Sequence, residues 1–454
     1  MHSSLMKQKV TNYYLKLKKK LNSLIAFSKK TLKLSSLRFK GAKKVLLLHW
    51  YQWVKVDLEE QLSNEYLILK PSRKEVMAQV VKVESPVKVN QSNYQHLTYD
   101  NIDLWEVCKS SICDHLIKTS LTDSSDFEVI ESYYNKAIHL IQAFTKFYQQ
   151  YRPHSVVVEQ GFQYDMRIAV EIARKFNCKT IAIENSFLKD YFFMDSSSGG
   201  ICNRHFLARN AWDIIKAHSL DVSQKEKVRN FMASYSTTIS QGSNAALEEL
   251  RQKATKGSQK KIALLFGQVA TDAAIVMDSY IYPDILDFME DAAQIMKEYQ
   301  EEYQLVIRLH PKEAYGNNHH GVPFDNMTLK RLQERGIDQL DHVTIFHSKE
   351  VNTYQLMELA ELGLVINSQT GLEFLSQYKP LVVLGDAFYA NKGFTHDVSC
   401  QEAFPLIVKK VIENPALSDH QKSAIDQFLY YMIFEYLYPK DLLDCKQRLA
   451  SLFS

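Results

Sequence analysis

Short apolar runs alternate along this chain with longer stretches whose apolar residues recur every three or four positions. That is the pattern of buried parallel strands joined by crossover helices. The first runs are residues 44–49 (KVLLLH), 155–159 (SVVVE) and 180–184 (TIAIE), each closing on a polar or ionisable residue. Between the last two, Ile168, Ala169, Ile172 and Ala173 fall at helical spacing, which predicts a βαβ unit. Residues 60–130 mix short alternating runs with polar turns and are expected to form an insertion or an extra edge of the sheet. A polar, helix-compatible stretch over residues 211–254 then runs into Lys256, Gly257, Ser258 and Gln259, where the pattern sets a domain boundary. Beyond it, residues 261–266 (KIALLF), 304–309 (QLVIRL), 343–346, 362–366 (LGLVI) and 380–384 (PLVVL) predict five strands of a doubly wound sheet. From Gln401 onward the pattern is helical, with Phe428, Tyr430, Tyr431, Phe434, Tyr436 and Tyr438 spaced for packing.

The expected organisation is a basic leader (1–40), an N-terminal Rossmann-like domain (41–255), a C-terminal Rossmann-like domain (256–400), and helices (401–454) packing across them. Such an α/β chain is GT-B-like: two doubly wound domains face a cleft, and the ligand lies at the carboxyl ends of the strands.

Composition refines this picture. The 454 residues are 46% apolar and 24% charged, which is globular, and the longest apolar run, around residues 45–54, is far short of the ~20 needed to span a bilayer. Fourteen of the 55 Lys and Arg lie in residues 1–56, which hold no Asp or Glu, so the net charge of +3 conceals an acidic body behind a basic leader. Asn22 and Ser23 interrupt the leader's apolar stretch, which argues against export. Its leucines and lysines suit either a solvated tail or an anionic membrane surface, where each cation contributes about 1 kcal/mol. No nucleic-acid module follows, so no nucleic-acid partner is expected. The six cysteines show no metal or disulfide spacing, and a cytoplasmic protein, peripheral on the inner face of the membrane, is the expectation.

The candidate site is a set of strand ends. The strand 304–309 delivers Arg308, His310, Pro311 and Lys312, where an imidazole beside two cations can meet a phosphate; His-Pro alone equally suits a structural turn. The strand 362–366 runs into Asn367, Ser368, Gln369, Thr370, Gly371, Leu372 and Glu373, a hydroxyl-rich turn opening a helix. Its free N–H groups favour an anion, and the same residues also fit a capping box. The next loop, residues 385–397 (GDAFYANKGFTHD), brings Phe388, Tyr389, Lys392, Thr395 and Asp397 to the same rim. The first loop after the boundary carries Gln268 and Asp272. That carboxylate can attack an anomeric carbon, take a proton from an acceptor hydroxyl, or cap a helix. From the first domain, Glu159, Gln160 and Glu184 are expected to face the same cleft, and carboxylates on opposite walls suit glycosyl transfer.

These blocks together resemble the bacterial capsule polysaccharide synthesis proteins, including the β-Kdo glycosyltransferases that act on CMP-Kdo. The resemblance rests on IENSFLKD followed by Asp195 and Gly199, on GQVATDAAI, RLHPKE and NSQTGLEFL, and on GDAFYANKGFTHD, over roughly residues 155–400. It departs from the family at Glu184-Asn185-Ser186, where Glu-Asp-Gly is frequent, and at Lys392-Gly393, where the family has Trp-Gly. The resemblance implies a metal-independent, retaining GT-B enzyme with no cofactor beyond its CMP-sugar donor, and a glycan or glycolipid acceptor. It casts Asp272 as nucleophile, Glu184 as acid/base or acceptor-side carboxylate, and His310, Ser368 and Gly371 as holders of the CMP phosphate. Two other functions share these features: a CDP-glycerol-type polyol-phosphate transferase, and a noncatalytic nucleotide-sugar-binding subunit of a polysaccharide assembly complex.

Overall fold

The computed structural model describes residues 43–80, 86–196, 209–239, 260–346, 351–442 and 445–453. The basic leader, the boundary stretch 256–259 and Gly199 lie outside the described residues. The chain divides into two compact units: Met1–Cys108, Thr122–Cys202 and Tyr438–Ser454 in the first, Lys109–Leu121 and Asn203–Leu437 in the second. Each is a sheet of mainly parallel strands with crossover helices, the α/β class that the alternating pattern predicts.

The first unit contains β1 (Lys44–Leu48), β2 (Leu67–Leu69), a small hairpin of β3 (Thr98–Tyr99) and β4 (Ile102–Asp103), then β5 (Ser155–Glu159), β6 (Lys179–Asn185) and β7 (Tyr191–Asp195). Its sheet runs β7-β6-β5-β1-β2, parallel from β6 to β2, with Tyr438–Pro439 added outside β7. The strands are apolar on both faces because both are covered: Val45 to Leu48 and Val156 to Val158 are all buried. The helix Ser124–Tyr151 starts at a capping box between Asp123 and Asp126 and ends where Arg152 turns left-handed (φ 48°). Its apolar stripe, including Ile130, Tyr134, Ile141, Phe144 and Tyr148, is buried, at about 1.5–3 kcal/mol per large side chain. Residues 60–130 supply β2 and so extend the sheet itself. The chain's direction of growth reverses between β1 and β5, which makes their carboxyl ends a topological switch point.

The second unit holds β8 (Lys261–Phe266), β9 (Tyr303–Arg308), β10 (Val343–Phe346), β11 (Ala360–Val365), β12 (Leu381–Val383) and β13 (His396–Asp397), all parallel in the order β10-β9-β8-β11-β12-β13. β13 is a sixth strand that the pattern does not show, since two residues carry no periodicity. The switch point here lies between β8 and β11. Phe428 sits among the rings of Trp212, Phe394 and Phe388, centroids 5.8, 5.5 and 6.3 Å away, so this member of the aromatic run is core, while Tyr430, Tyr431, Phe434 and Tyr436 are partly buried.

The C-terminal segment is divided between the two units and is helical except for one short strand. The helices Phe404–Glu413 and Asp419–Tyr430 belong to the second unit, but Tyr438–Pro439 is a strand antiparallel to β7, and the helix Lys446–Phe453 buries Leu449 and Phe453 in the first unit's core. No helix among the described residues is long and apolar enough to cross a membrane.

Candidate functional site

At the switch point of the second unit, a cavity of about 360 Å³ opens over the carboxyl ends of β8, β9, β10 and β11. Four loops build it: Gly267 after β8, Arg308 to Pro311 after β9, Val351 to Tyr354 after β10, and Ser368, Thr370 and Glu373 after β11. The size suits a small ligand of the nucleotide class. Two of the sequence-predicted elements, His310 and the turn that starts at Ser368, therefore share one cavity.

Local chemistry explains why each group points as it does. His310 caps the helix Pro311–Tyr315, its Nδ1 accepting the Lys312 N–H at 3.1 Å, which leaves the ring proton on Nε2. Loss of hydration, with Arg308 and Lys312 adding repulsion, lowers the imidazole to about 4, so at neutral pH it is an uncharged donor and never the cation. Ser368 Oγ accepts the Thr370 N–H at 3.3 Å, closing the turn from which the helix Thr370–Leu375 starts. Gly371 is required there, because a Cβ would run into the buried phenol of Tyr389, whose hydroxyl donates to Ser368 O at 2.5 Å.

The cavity's charge comes from Arg308. One of its amino groups donates to Leu309 O at 3.1 Å, but Nε is buried without a partner among the described residues. Burial lowers this guanidinium to about 10, with Glu373 working against the shift; burial lifts Glu373 to about 8, with Arg308 opposing. Glu373 is thus mostly protonated at neutral pH, and Arg308 keeps an uncompensated positive charge. The Tyr354 hydroxyl is likewise buried with no partner. Unsatisfied donors around one cavity are costly unless a ligand accepts from them. Asn352, Thr353 and Tyr354 were not singled out in the sequence; a polar turn closing the β10 run is the signal that could have found them.

Other predicted residues are placed differently. Asp272 caps the helix Ala273–Asp278, Oδ1 accepting the Ala274 N–H at 2.9 Å. Burial raises its carboxyl, while that N–H and the Lys312 charge pull the other way. The Lys312 ammonium sits 5.4 Å over the Phe324 ring and does not line the cavity. Gln268 is a buried clamp: its amide donates to Asn367 Oδ1 at 2.9 Å and accepts the Asn367 N–H at 3.2 Å, tying the β8 and β11 loops together. Phe388, Tyr389, Lys392 and Thr395 are buried, which corrects their reading as cleft residues. Lys392 donates to Ala390 O at 3.3 Å, and Thr395 donates to both Asp397 oxygens at 2.9 Å, so their polarity holds the loop internally. Gln369 occupies the cap position of the helix Thr370–Leu375 without a side-chain bond to it.

In the first unit, Glu184 lies on β6 in register with Phe193, and Gln160 follows β5 in a left-handed conformation (φ 58°). Glu159 is fully buried and consumed by hydrogen bonds, which corrects its assignment to an open wall. Its oxygens accept from the backbone N–H groups of Tyr51, Gln52, Trp53 and Val54 at 2.8, 3.0, 2.8 and 3.4 Å.

Comparison with known proteins identifies the family. A family model described as capsule polysaccharide biosynthesis protein matches residues 144–411, more than half of the chain. No curated protein sequence matches it significantly. Among solved structures, the β-Kdo 2,4 transferase of Thermosulfurimonas dismutans KpsC is 16% identical, with 60% of this chain and 79% of that one covered and a TM-score of 0.41. The β-Kdo 2,7 transferase of the same KpsC is 17% identical, with 78% and 98% covered and a TM-score of 0.39. UDP-GlcNAc 2-epimerase of Methanocaldococcus jannaschii is 13% identical, with 65% and 81% covered and a TM-score of 0.32. On the family match, this chain belongs to the capsule polysaccharide biosynthesis proteins.

Proposed function

We propose that the chain is a glycosyltransferase of capsule polysaccharide synthesis that takes Kdo or a related ulosonic acid from a CMP-activated donor and passes it to a glycan or glycolipid. The observation that carries this reading is the cavity's unsatisfied cation: Arg308 Nε, buried and unpartnered, beside the His310 Nε2–H and the Ser368–Thr370 turn. A phosphodiester accepts from all of these, and their combined positive potential stabilises the departing CMP without calling on a divalent ion. The RLHPKE, NSQTGLEFL and GDAFYANKGFTHD blocks support the ulosonic acid donor. Asp272 is the candidate nucleophile of a retaining double displacement, and Glu184 the candidate acid/base. The leader is the candidate contact with an anionic membrane surface, and a cytoplasmic site of action follows from that assignment.

The test is a donor screen with the full chain. Calorimetry should rank CMP above UDP and GDP, and product analysis should show CMP released with Kdo transferred. Release of CMP with transfer of glycerol phosphate would replace this reading with the polyol-phosphate transferase, and CMP binding without turnover would leave a noncatalytic subunit.

Glu373 adds a pH signature. Below about 8 it is protonated and does not repel a phosphodiester; above that value it ionises inside the cavity. Affinity for a CMP diester is therefore expected to be nearly flat from pH 6 to 7 and to fall by up to about tenfold toward pH 9 (~1.4 kcal/mol). Glu373→Gln should abolish that fall in a pH series of binding isotherms.

A further inference from the structure

β8 and β11 are neighbours at the second unit's switch point, where the connections leaving two adjacent strands diverge. Leu265 pairs with Leu364 in the parallel register, so three residues further on Gln268 stands opposite Asn367, beyond the end of both strands. There the two side chains continue the pairing that the backbone no longer makes. Gln268 Nε2 donates to Asn367 Oδ1 at 2.9 Å, and Gln268 Oε1 accepts the Asn367 N–H at 3.2 Å. Asn367 Nδ2 in turn donates to Ala274 O at 2.9 Å. Ala274 is the residue whose N–H Asp272 Oδ1 accepts, also at 2.9 Å. A chain of contacts thus runs from Gln268 through Asn367 and Ala274 to the Asp272 carboxylate. At its other side Asn367 is joined by one peptide bond to Ser368.

Packing alone would be served by an apolar pair, because two buried amides lose their hydration and offset that loss only when their groups are paired in one fixed geometry. Gln268 is 4% and Asn367 7% exposed, and both amides are paired in that way. We propose that Gln268 and Asn367 are positioning residues for sugar transfer, whose amide pair sets the separation between the Asp272 carboxylate and the Ser368–Thr370 turn. This deepens the transferase reading and rests on it for the roles of Asp272 and the turn. In the first displacement the bond from the Asp272 carboxylate to the anomeric carbon forms as the bond to the phosphate oxygen breaks and CMP leaves. Nucleophile and leaving group must therefore stand on opposite sides of that carbon, and a misplacement of about 1 Å costs about 10²-fold in rate. The strand ladder does not hold this separation, since β8 ends at Phe266 and β11 at Val365. The Tyr389 hydroxyl also steadies the turn by donating to Ser368 O, but it comes from the loop after β12 and not from the loop that carries Asp272.

The experiment uses the full chain and the variants Gln268→Met, Asn367→Leu and the two combined, which keep side-chain size and remove the amides. Folding is checked by thermal midpoint. Three quantities are then read: single-turnover CMP release from CMP-Kdo, which needs no acceptor; CMP affinity by calorimetry; and hydrogen exchange of the amides of residues 267–276 by mass spectrometry. CMP release should slow about 10²-fold in each single variant while CMP affinity stays within about threefold. The combined variant should be no slower than the worse single one, as for groups that act as a unit. Exchange over residues 267–276 should quicken about tenfold. A pair that only stabilises the fold would lower the midpoint and leave the rate of the folded protein near that of the wild type. That result, additive losses of rate, a loss of CMP affinity as large as the loss of rate, or unchanged exchange would overturn the proposal. If Asn367→Leu does not fold, Gln268→Met decides alone by its rate against its affinity. A wild type that binds CMP and releases none from CMP-Kdo, with exchange still quickened in the variants, would sink the transferase reading and the role in transfer with it; fast release in folded variants would sink the positioning alone.

Discussion

Asp272→Asn is expected to lower sugar transfer on the order of 10³-fold or more while leaving CMP affinity within about twofold. The choice of asparagine follows from the structure. Asp272 caps the helix Ala273–Asp278 through the Ala274 N–H, and Asn preserves a cap that Ala would remove at about 1 kcal/mol. The variant therefore separates nucleophilic chemistry from local folding. Because burial raises the Asp272 carboxyl and only its ionised form is nucleophilic, the wild-type rate should fall on the acid side through that raised value. Lys312 opposes the shift, so Lys312→Gln should move the acid limb of the pH–rate profile to higher pH. Intact-mass detection of a glycosyl adduct in the wild type and not in Asp272→Asn would complete the case. Undiminished transfer in a folded Asp272→Asn protein would eliminate the residue as nucleophile.

The strand-end rule reached much of this site because β9 and β11 each carry a short apolar run, residues 305–307 and 362–366, after which the polar loops begin, at Arg308 to His310 and at Asn367. Knowing where a strand stops tells which side chains gather at the sheet's carboxyl edge. It does not tell which of them stay open. Glu159 closes a β run and reads as a cleft carboxylate, yet it is spent on four N–H groups more than a hundred residues earlier in the chain. The same blindness affects Tyr389, Lys392 and Thr395, polar in composition but buried by contacts with Ser368, Ala390 and Asp397. Arg308 and Glu373 tune one another across 65 positions of sequence, a coupling that exists only after β9 and β11 flank β8.

The largest stability loss is expected at Glu159. Replacing it by Ala leaves four backbone N–H groups without an acceptor and removes the partner of His49, and deleting one member of a buried ionic network costs about 3–5 kcal/mol. Against a total of about 5–15 kcal/mol for a folded domain, that is a third or more of the whole. Gln is no substitute, because its amide NH₂ would face two donors where the carboxylate presents an acceptor. Burial opposes ionisation of Glu159, but His49 and the N–H groups of Tyr51 and Gln52 outweigh it and hold the folded carboxyl below its ordinary value. A depressed folded value means the contribution is fully present above the ordinary glutamate value of 4.5 and is lost as pH falls through the folded one. Urea unfolding of the wild type should therefore show an acid decline that Glu159→Gln lacks, with the variant less stable at pH 7. Equal midpoints at pH 7 would mean that the β1 loop is held by something other than this carboxylate.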